Sequence, residues 1–261
     1  MHDHSFVICA YKESPFLEEC IRSLKEQTVS SEILMVTSTP NDYIFGIAEK
    51  HEIPLYVNPG EGGITQDWNF GYAMCKTPYV TIAHQDDVYR PEYAETVLNR
   101  MRGAKQPLIC FTDYGELRDG EEVLVNSLLK VKRLMLLPLR GKLFSNSRWM
   151  RRRVLSMGCP ICCPSVTFAR EHLPEQVFVK GFRSCEDWEA WEKLSKRKGA
   201  FLYCAKVLML HRIHEGSETS AIIGDNARSE EEYQMFRKFW PEWIARKLVR
   251  FYSKGQESNT L

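Results

Sequence analysis

The sequence lacks long apolar segments and any strong excess of charge. None of its apolar runs approaches the roughly 20 residues that a helix needs to span a bilayer. The run after the polar start covers only residues 6–10. We therefore expect neither a signal peptide nor a transmembrane helix. The 35 basic and 34 acidic side chains give a net charge of +1, so the molecule as a whole carries no strong field.

The nine cysteines lack the arrangement of a secreted disulfide scaffold. Their number is odd, and a chain of 261 residues is much longer than such scaffolds. The segment CPICC (159–163) holds three thiols, with Cys185 as a conceivable fourth. It lacks the paired spacing of a zinc site, so buried or acceptor-side thiols are the better interpretation. We predict a cytoplasmic protein with reduced cysteines.

The first half of the chain alternates strand and helix patterns. The first helix has Ser14 as its predicted N-cap and Pro15 at its first position. Such alternation predicts an α/β fold with a mostly parallel sheet, helices on both faces and ligands at the carboxyl ends of the strands. The predicted strands cover 5–11, 32–38, 54–58, 79–83 and 107–114, and the predicted helices cover 14–28, 42–51, 65–76 and 91–102.

The second half has a different pattern. It begins with a predicted hairpin around Asp119-Gly120. We divide the chain into one domain, 1–220, with halves 1–114 and 115–220, and a C-terminal helical extension, 221–261. The further predicted elements are a returning strand at 164–171, a helix at 184–199 ending at Gly199, one or two strands at 201–214 and a helix at 225–252.

Adjacent carboxylates follow the predicted strand 79–83. Asp86 and Asp87 repel each other, and desolvation penalises both, unless a divalent cation binds there; solvated aspartates in a turn are the alternative. Two later segments favour the cation. Glu186-Asp187 begins a predicted helix, and His214 leaves a predicted strand. This order of groups suggests a metal site with a general base nearby.

The chain resembles the family 2 glycosyltransferases of the nucleotide-diphospho-sugar (GT-A) fold, over nearly its whole length to about residue 220. Each matching motif is short, but six occur in the family's order at plausible spacing. The motifs are FVICAYKESPFLEECIRSLKEQT, VTSTPND, NPGEGGITQDWNFG, HQDDVYRPEY, CEDWEAW and HRIHEGSETS.

The resemblance implies roles for individual residues. Asp86 falls on the second Asp of the family's Asp-x-Asp motif, a direct metal ligand, and His214 on a position that completes the metal site; His84 replaces the first Asp. Asp187 falls on the catalytic base, with a helix N-cap as the less favoured alternative. The implied nucleotide-binding positions are Tyr11, Glu13, Ser38, Asp67, Asn69 and Gln85.

The resemblance also implies an activity. It is inverting, Mn²⁺- or Mg²⁺-dependent transfer of a sugar from a nucleotide-diphospho-sugar to an acceptor hydroxyl, in surface polysaccharide or glycoconjugate synthesis. The acceptor would be a glycan or a lipid-linked glycan. Because the first Asp of Asp-x-Asp is replaced, a non-catalytic nucleotide-sugar-binding protein is the alternative.

Two segments, 128–153 and 236–254, mix cations with large apolar residues. No acidic residue lies between Glu122 and Glu171, whereas ten Lys or Arg do. A solvated basic face over core leucines, a mobile acceptor-binding segment and contact with the inner face of an anionic membrane all fit the first segment. An interfacial helix, a dimerising helix and a helix that packs on its own domain all fit the second. Nucleic acid is not an expected partner, because no nucleic-acid-binding motif occurs and the acidic site opposes it.

Overall fold

The computed structural model describes residues 2–214 and 226–257. Within these ranges, nine strands form one sheet in the order β3-β2-β1-β4-β8-β6-β9-β5, with β7 paired to β6. The strands are β1 (His4–Ala10), β2 (Glu32–Thr37), β3 (Leu55–Val57), β4 (Tyr79–His84), β5 (Val88–Tyr89), β6 (Pro107–Arg118), β7 (Glu121–Val123), β8 (Val166–Ala169) and β9 (Ala200–Ile213).

The sheet is mixed. Strands β3, β2, β1 and β4 are parallel, as their pattern predicts. Strand β8 is antiparallel to both β4 and β6, while β9 is parallel to β6. The predicted hairpin is present: β6 and β7 are antiparallel, and Asp119 and Gly120 have the positive φ angles, 49° and 83°, that a tight hairpin turn uses.

Helices cover both faces of the sheet. Side chains alternate across β1, so Phe6 and Ile8 pack with α1, α2 and α4, whereas Val7 packs with α3, α7 and α8. The helices are α1 (Leu17–Lys25), α2 (Asp42–Lys50), α3 (Ile64–Met74), α4 (Tyr93–Arg102), α5 (Ser127–Leu136), α6 (Lys142–Ser145), α7 (Arg148–Leu155), α8 (Glu186–Ser195), α9 (Asn226–Arg237) and α10 (Glu242–Glu257). None of them combines the length and the apolar character needed to cross a membrane, within the same ranges.

Three predicted helices have clearly different bounds in the structure. Helix α8 ends at Ser195 with Lys196 as C-cap, so the predicted end at Gly199 is wrong. Helix α1 begins at Leu17 with Phe16 as N-cap, so the predicted cap at Ser14 is wrong; the Ser14 carbonyl instead accepts hydrogen bonds from the Leu17 N–H and the Tyr43 hydroxyl. The predicted helix at 225–252 is two helices, α9 and α10. Residues 238–241 separate the two helices. This break contains Pro241, which has no N–H to donate within a continuous helix.

The two C-terminal helices pack on the rest of the chain. The Phe236 ring lies 5.0 Å from the Trp188 ring, and the Trp240 indole donates to the Ser156 carbonyl at 2.7 Å. The predicted division at 114/115 falls inside β6. The predicted domain end at residue 220, and the part of HRIHEGSETS after His214, lie outside the described residues.

Candidate active site at the carboxyl ends of the parallel strands

The carboxyl ends of β1, β2 and β4 bring several of the predicted nucleotide-binding residues to one edge of the sheet. Tyr11 follows β1, Ser38 follows β2 and Gln85 follows β4. The Gln85 amide accepts from the Tyr11 N–H at 2.9 Å and donates to the Tyr11 carbonyl at 3.0 Å. This pair of bonds fixes the end of β1 against the end of β4 and leaves the Tyr11 ring exposed.

Asp67 connects this edge to helix α3. Its carboxylate accepts from the Ser38 hydroxyl at 2.6 Å and from the Asn58 amide at 2.8 Å. The chain enters α3 through Gly63, whose φ of 146° is readily adopted only by glycine. Asp67 therefore holds the residues that follow β2 and β3 in place.

Two other predicted nucleotide-binding residues lie differently. The Asn69 amide donates to the Phe178 carbonyl at 2.7 Å and accepts from the N–H groups of Val177 and Phe178 at 3.1 Å each. These bonds hold the 177–178 segment against α3. Glu13 is exposed in the segment between β1 and α1.

The two predicted metal ligands lie side by side. Asp86 Oδ2 is 3.1 Å from His214 Nε2. Asp86 follows β4, and His214 follows β9, which is not adjacent to β4 in the sheet. The long strand β9 reaches this edge because it continues to Ile213.

His84, Asp86 and Asp87 form a cluster in which one potential ligand atom of each lies within 4.8 Å of the others. Asp87 is fully buried, and its Oδ1 accepts from His211 Nδ1 at 3.0 Å and from the Arg212 N–H at 2.9 Å. Its Oδ2 has no hydrogen-bond partner in the described part of the chain and lies 3.8 Å from His84 Nδ1.

The electrostatics of this cluster follow from burial and from one ion pair. Burial opposes charge on Asp87, but His211, His84 and the Arg212 N–H together outweigh burial and lower the pKa of Asp87. Burial also opposes charge on His211, but Asp87 raises the pKa of His211 to about 9. For His84, burial dominates and lowers its pKa, so that imidazole is neutral at pH 7 and can offer a lone pair.

Arg212 supports the cluster through the contacts of its guanidinium group. Its Nε donates to the Asp86 carbonyl at 2.8 Å, its guanidinium reaches Glu19 at 2.5 Å, and it lies 4.3 Å from the centre of the Phe16 ring. The backbone of Asp86 is thereby attached to α1.

Asp187 lies in the first turn of α8, whose N-cap is Cys185, so Asp187 is not a helix cap. Its Oδ1 accepts from the Trp188 N–H at 2.6 Å, and its Oδ2 accepts from the Cys159 thiol at 3.5 Å. Burial raises the pKa of Asp187, whereas the two hydrogen bonds and Lys132 act in the opposite direction. A raised pKa improves a carboxylate as a proton acceptor near neutral pH.

Sequence reasoning missed two residues of this site, Lys132 and Trp68. Lys132 Nζ donates to the Tyr114 hydroxyl at 2.8 Å, so one cation of the basic segment 128–153 faces inward. Its position three residues after buried Leu129 on α5 was the available signal. The Trp68 ring stacks on the His84 ring at 5.3 Å with an interplanar angle of 15°.

Comparison with known proteins decides the family. The sequence model of glycosyl transferase family 2 matches residues 5–157, more than half of the chain. The chain belongs to this family. It is 25% identical over 249 residues to an uncharacterised glycosyltransferase of Rickettsia prowazekii (strain Madrid E), covering 90% of this chain and 71% of the relative. An uncharacterised glycosyltransferase of Haemophilus influenzae is 22% identical over 236 residues, or 84% and 67% of the two chains.

Solved structures share the fold of this glycosyltransferase. TarS of S. aureus (residues 1–349), in complex with UDP-GlcNAc, superposes with a TM-score of 0.64 at 16% identity over 95% of this chain and 70% of TarS. The mannosyltransferase PcManGT of Pyrobaculum calidifontis, in complex with GDP-Man and Mn²⁺, has a TM-score of 0.64 at 14% identity over 95% and 69% of the two chains. The α/β architecture is that of the GT-A glycosyltransferases, as the sequence motifs imply.

Proposed function

We propose that the chain transfers a sugar, with inversion, from a nucleotide-diphospho-sugar to an acceptor hydroxyl, and that Mn²⁺ or Mg²⁺ is required. The observation that carries the proposal is the meeting of Asp86 and His214, from distant parts of the chain, beside buried Asp87, whose Oδ2 has no hydrogen-bond partner among the described residues. PcManGT, which has a similar fold and was solved in complex with GDP-Man and Mn²⁺, supports this proposal.

The residues present fit a divalent cation. A buried carboxylate oxygen without a partner is costly, and a cation would satisfy it. Asp86 and His214 would hold the cation, with the remaining cluster atoms beside it. When bound, the cation supplies positive charge that stabilises the departing nucleoside diphosphate.

The ends of β1 and β2 are proposed to bind the nucleoside. The exposed Tyr11 ring offers a flat face, and Glu13 and Ser38 offer polar groups, at the edge where ligands bind in α/β sheets. Asp67, Asn69 and Gln85 already hold these loops through their hydrogen bonds, so their contribution to nucleotide affinity includes this positioning.

Asp187 is proposed to be the general base. The acceptor oxygen forms a bond to the anomeric carbon while the bond from that carbon to the diphosphate oxygen breaks. The electron pair of the broken bond leaves with the diphosphate, and the acceptor proton moves to the Asp187 carboxylate. The Trp188 N–H fixes Oδ1 of this carboxylate, and the thiol of Cys159 contacts Oδ2.

Metal-dependent nucleotide binding tests the proposed site. A nucleoside diphosphate should raise the melting temperature more with Mn²⁺ than with a chelator. Asp86→Ala should lose the metal-dependent part of this shift, whereas Glu121→Ala, on exposed β7, should retain it. Equal shifts with metal and with chelator would contradict the metal assignment.

Asp187→Asn separates an enzyme from a protein that only binds nucleotide sugars. The substitution keeps the shape of the side chain and removes its basicity. We expect nucleotide and metal affinity close to wild type, and a transfer rate lower by roughly 10²–10⁴-fold. Near-normal turnover would remove Asp187 from the mechanism.

The exposed apolar and basic side chains of the surface are the basis for a proposal about the acceptor and the location of the reaction. A glycan or lipid-linked glycan acceptor, in polysaccharide or glycoconjugate synthesis, would suit a cytoplasmic protein that contacts the inner face of an anionic membrane. Exposed apolar side chains lie among the cations of segment 128–153, namely Leu134, Leu137, Leu143 and Trp149. Trp243 and Phe251 are similarly exposed on α10 and would also suit a homodimer.

A further inference from the structure

His84 has an unusual environment for a histidine inside a protein. Its Nε2 is buried and has no hydrogen-bond partner among the described residues. Its Nδ1 approaches Asp87 Oδ2 only to 3.8 Å, which is too long for a hydrogen bond. His4, in contrast, is satisfied at both nitrogens, by Ser31 and Thr81 at 2.9 Å each. Hydrogen bonds of the ring nitrogens to other described residues therefore do not explain the position of the His84 ring.

The ring of His84 is nevertheless held in a defined orientation. It stacks on the Trp68 ring, and the His84 carbonyl accepts from the Cys20 thiol at 3.3 Å. His84 is the last residue of β4, and its backbone pairs with that of Cys9 in β1. Its Nδ1 faces Asp87 Oδ2, a buried oxygen with no hydrogen-bond partner among the described residues, so the two atoms are placed to share one cation.

We propose that His84 is a direct metal ligand and that it makes this centre selective for transition-metal ions such as Mn²⁺ and Co²⁺ over Mg²⁺. This inference rests on the metal site of the proposed function and adds the identity of a ligand and the preferred class of cation.

The spacing of the cluster is compatible with one ion. Ligand atoms lie about 2.0–2.2 Å from such a metal, so two ligands of one ion are at most about 4.4 Å apart. The observed limit is 4.8 Å, for one atom each of His84, Asp86 and Asp87. Small side-chain rotations of a few tenths of an ångström would close the difference.

The chemistry of the ligands sets the preference. Mg²⁺ takes oxygen ligands almost exclusively, whereas imidazole nitrogen suits transition metals. With His214 beside Asp86, two of the four candidate ligand side chains are imidazoles. Replacing His84 by aspartate would make the set richer in oxygen and less selective.

Competition between Co²⁺ and Mg²⁺ tests the preference. The dissociation constants of both ions are measured without sugar donor or acceptor, for wild type, His84→Asp and, as a control outside the cluster, His172→Asn. The ratio of Mg²⁺ to Co²⁺ dissociation constants should fall by roughly tenfold or more in His84→Asp and stay constant in His172→Asn. An unchanged ratio in a folded His84→Asp variant would overturn the proposal.

Pulsed electron paramagnetic resonance of bound Mn²⁺ identifies the ligand even if His84→Asp does not fold. Coupling of Mn²⁺ to an imidazole nitrogen should persist in His214→Gln, because His84 still supplies one. Loss of all nitrogen coupling in His214→Gln overturns the proposal while leaving the proposed function intact. If wild type does not bind Mn²⁺ at all, both fail.

Discussion

Asp187 carries its charge in surroundings that oppose it, and this affects stability as well as chemistry. Its pKa is raised in the folded protein above the ordinary aspartate value of about 3.9, chiefly by burial. Between the unfolded and folded pKa values the folded state binds more protons, so this residue makes the free energy of unfolding fall as pH rises through that window.

Asp187→Asn should therefore be at least as stable as wild type at pH 7–8. Its advantage in melting temperature should shrink as the pH falls through this window and vanish below about pH 3.9, where Asp187 is protonated in both the folded and the unfolded wild type. Thermal unfolding across this pH range measures the effect. A melting-temperature difference that does not vary with pH would show that the carboxylate is not carrying an unfavourable charge.

Lys132 favours the ionised form of Asp187. Removing this cation in Lys132→Gln should raise the pKa of Asp187 further and move the acidic limb of the pH–rate profile to higher pH. Lys130→Gln changes an exposed cation on the same helix and should leave the profile unchanged. Identical profiles for the two variants would remove Lys132 from the environment of the base.

At the level of elements, α3 lies closely against the sheet at Gly71. A Cβ at this position would lie 2.8 Å from Val7 Cγ2 and 3.1 Å from Val36 Cγ2. Gly71→Ala should therefore destabilise the protein by about 1–3 kcal/mol through overpacking. Gly46, exposed on α2 with nothing within 4 Å of its Cβ position, is the matched control, and Gly46→Ala should stabilise by about 0.5–1 kcal/mol.

Urea unfolding of both variants measures this pair of effects. Because α3 also carries Asp67, Gly71→Ala should weaken nucleotide binding as well, whereas Gly46→Ala should not. Equal stability changes of the same sign would mean that α3 adjusts its distance from the sheet without cost.

The elements predictable from sequence were those with local signals. Strand β4 and the carboxylates after it follow from a run of β-branched residues and the abrupt change at His84. The insertion of β8 between β4 and β6 was not predictable, because sheet order depends on contacts between residues far apart in sequence. The pairing of Asp86 with His214 came from the family motifs, and the hydrogen bonds of Asn69 to 177–178 had no local signal.

At the level of the whole molecule, the basic segment 128–153 combines exposed cations with exposed apolar side chains. Each cation near an anionic bilayer contributes about 1 kcal/mol, so several suffice for reversible binding. Flotation with anionic and neutral vesicles should show salt-sensitive binding to the anionic ones only. Leu143→Gln should weaken this binding, whereas Phe45→Gln, also at an exposed apolar residue but on α2, should not. Equal flotation with both vesicle types would contradict membrane binding and favour the interpretation of this segment as a solvated basic face.

The stacking of Trp68 on His84 has an optical consequence. The other five tryptophans of the chain all lie after residue 148, and Trp68 alone belongs to the first half. A paramagnetic ion bound at the cluster would quench the emission of the indole stacked on its ligand far more than that of a distant indole. The difference between wild-type and Trp68→Phe fluorescence thus provides a label-free titration signal for the metal, built into the protein by the same ring contact that orients the histidine.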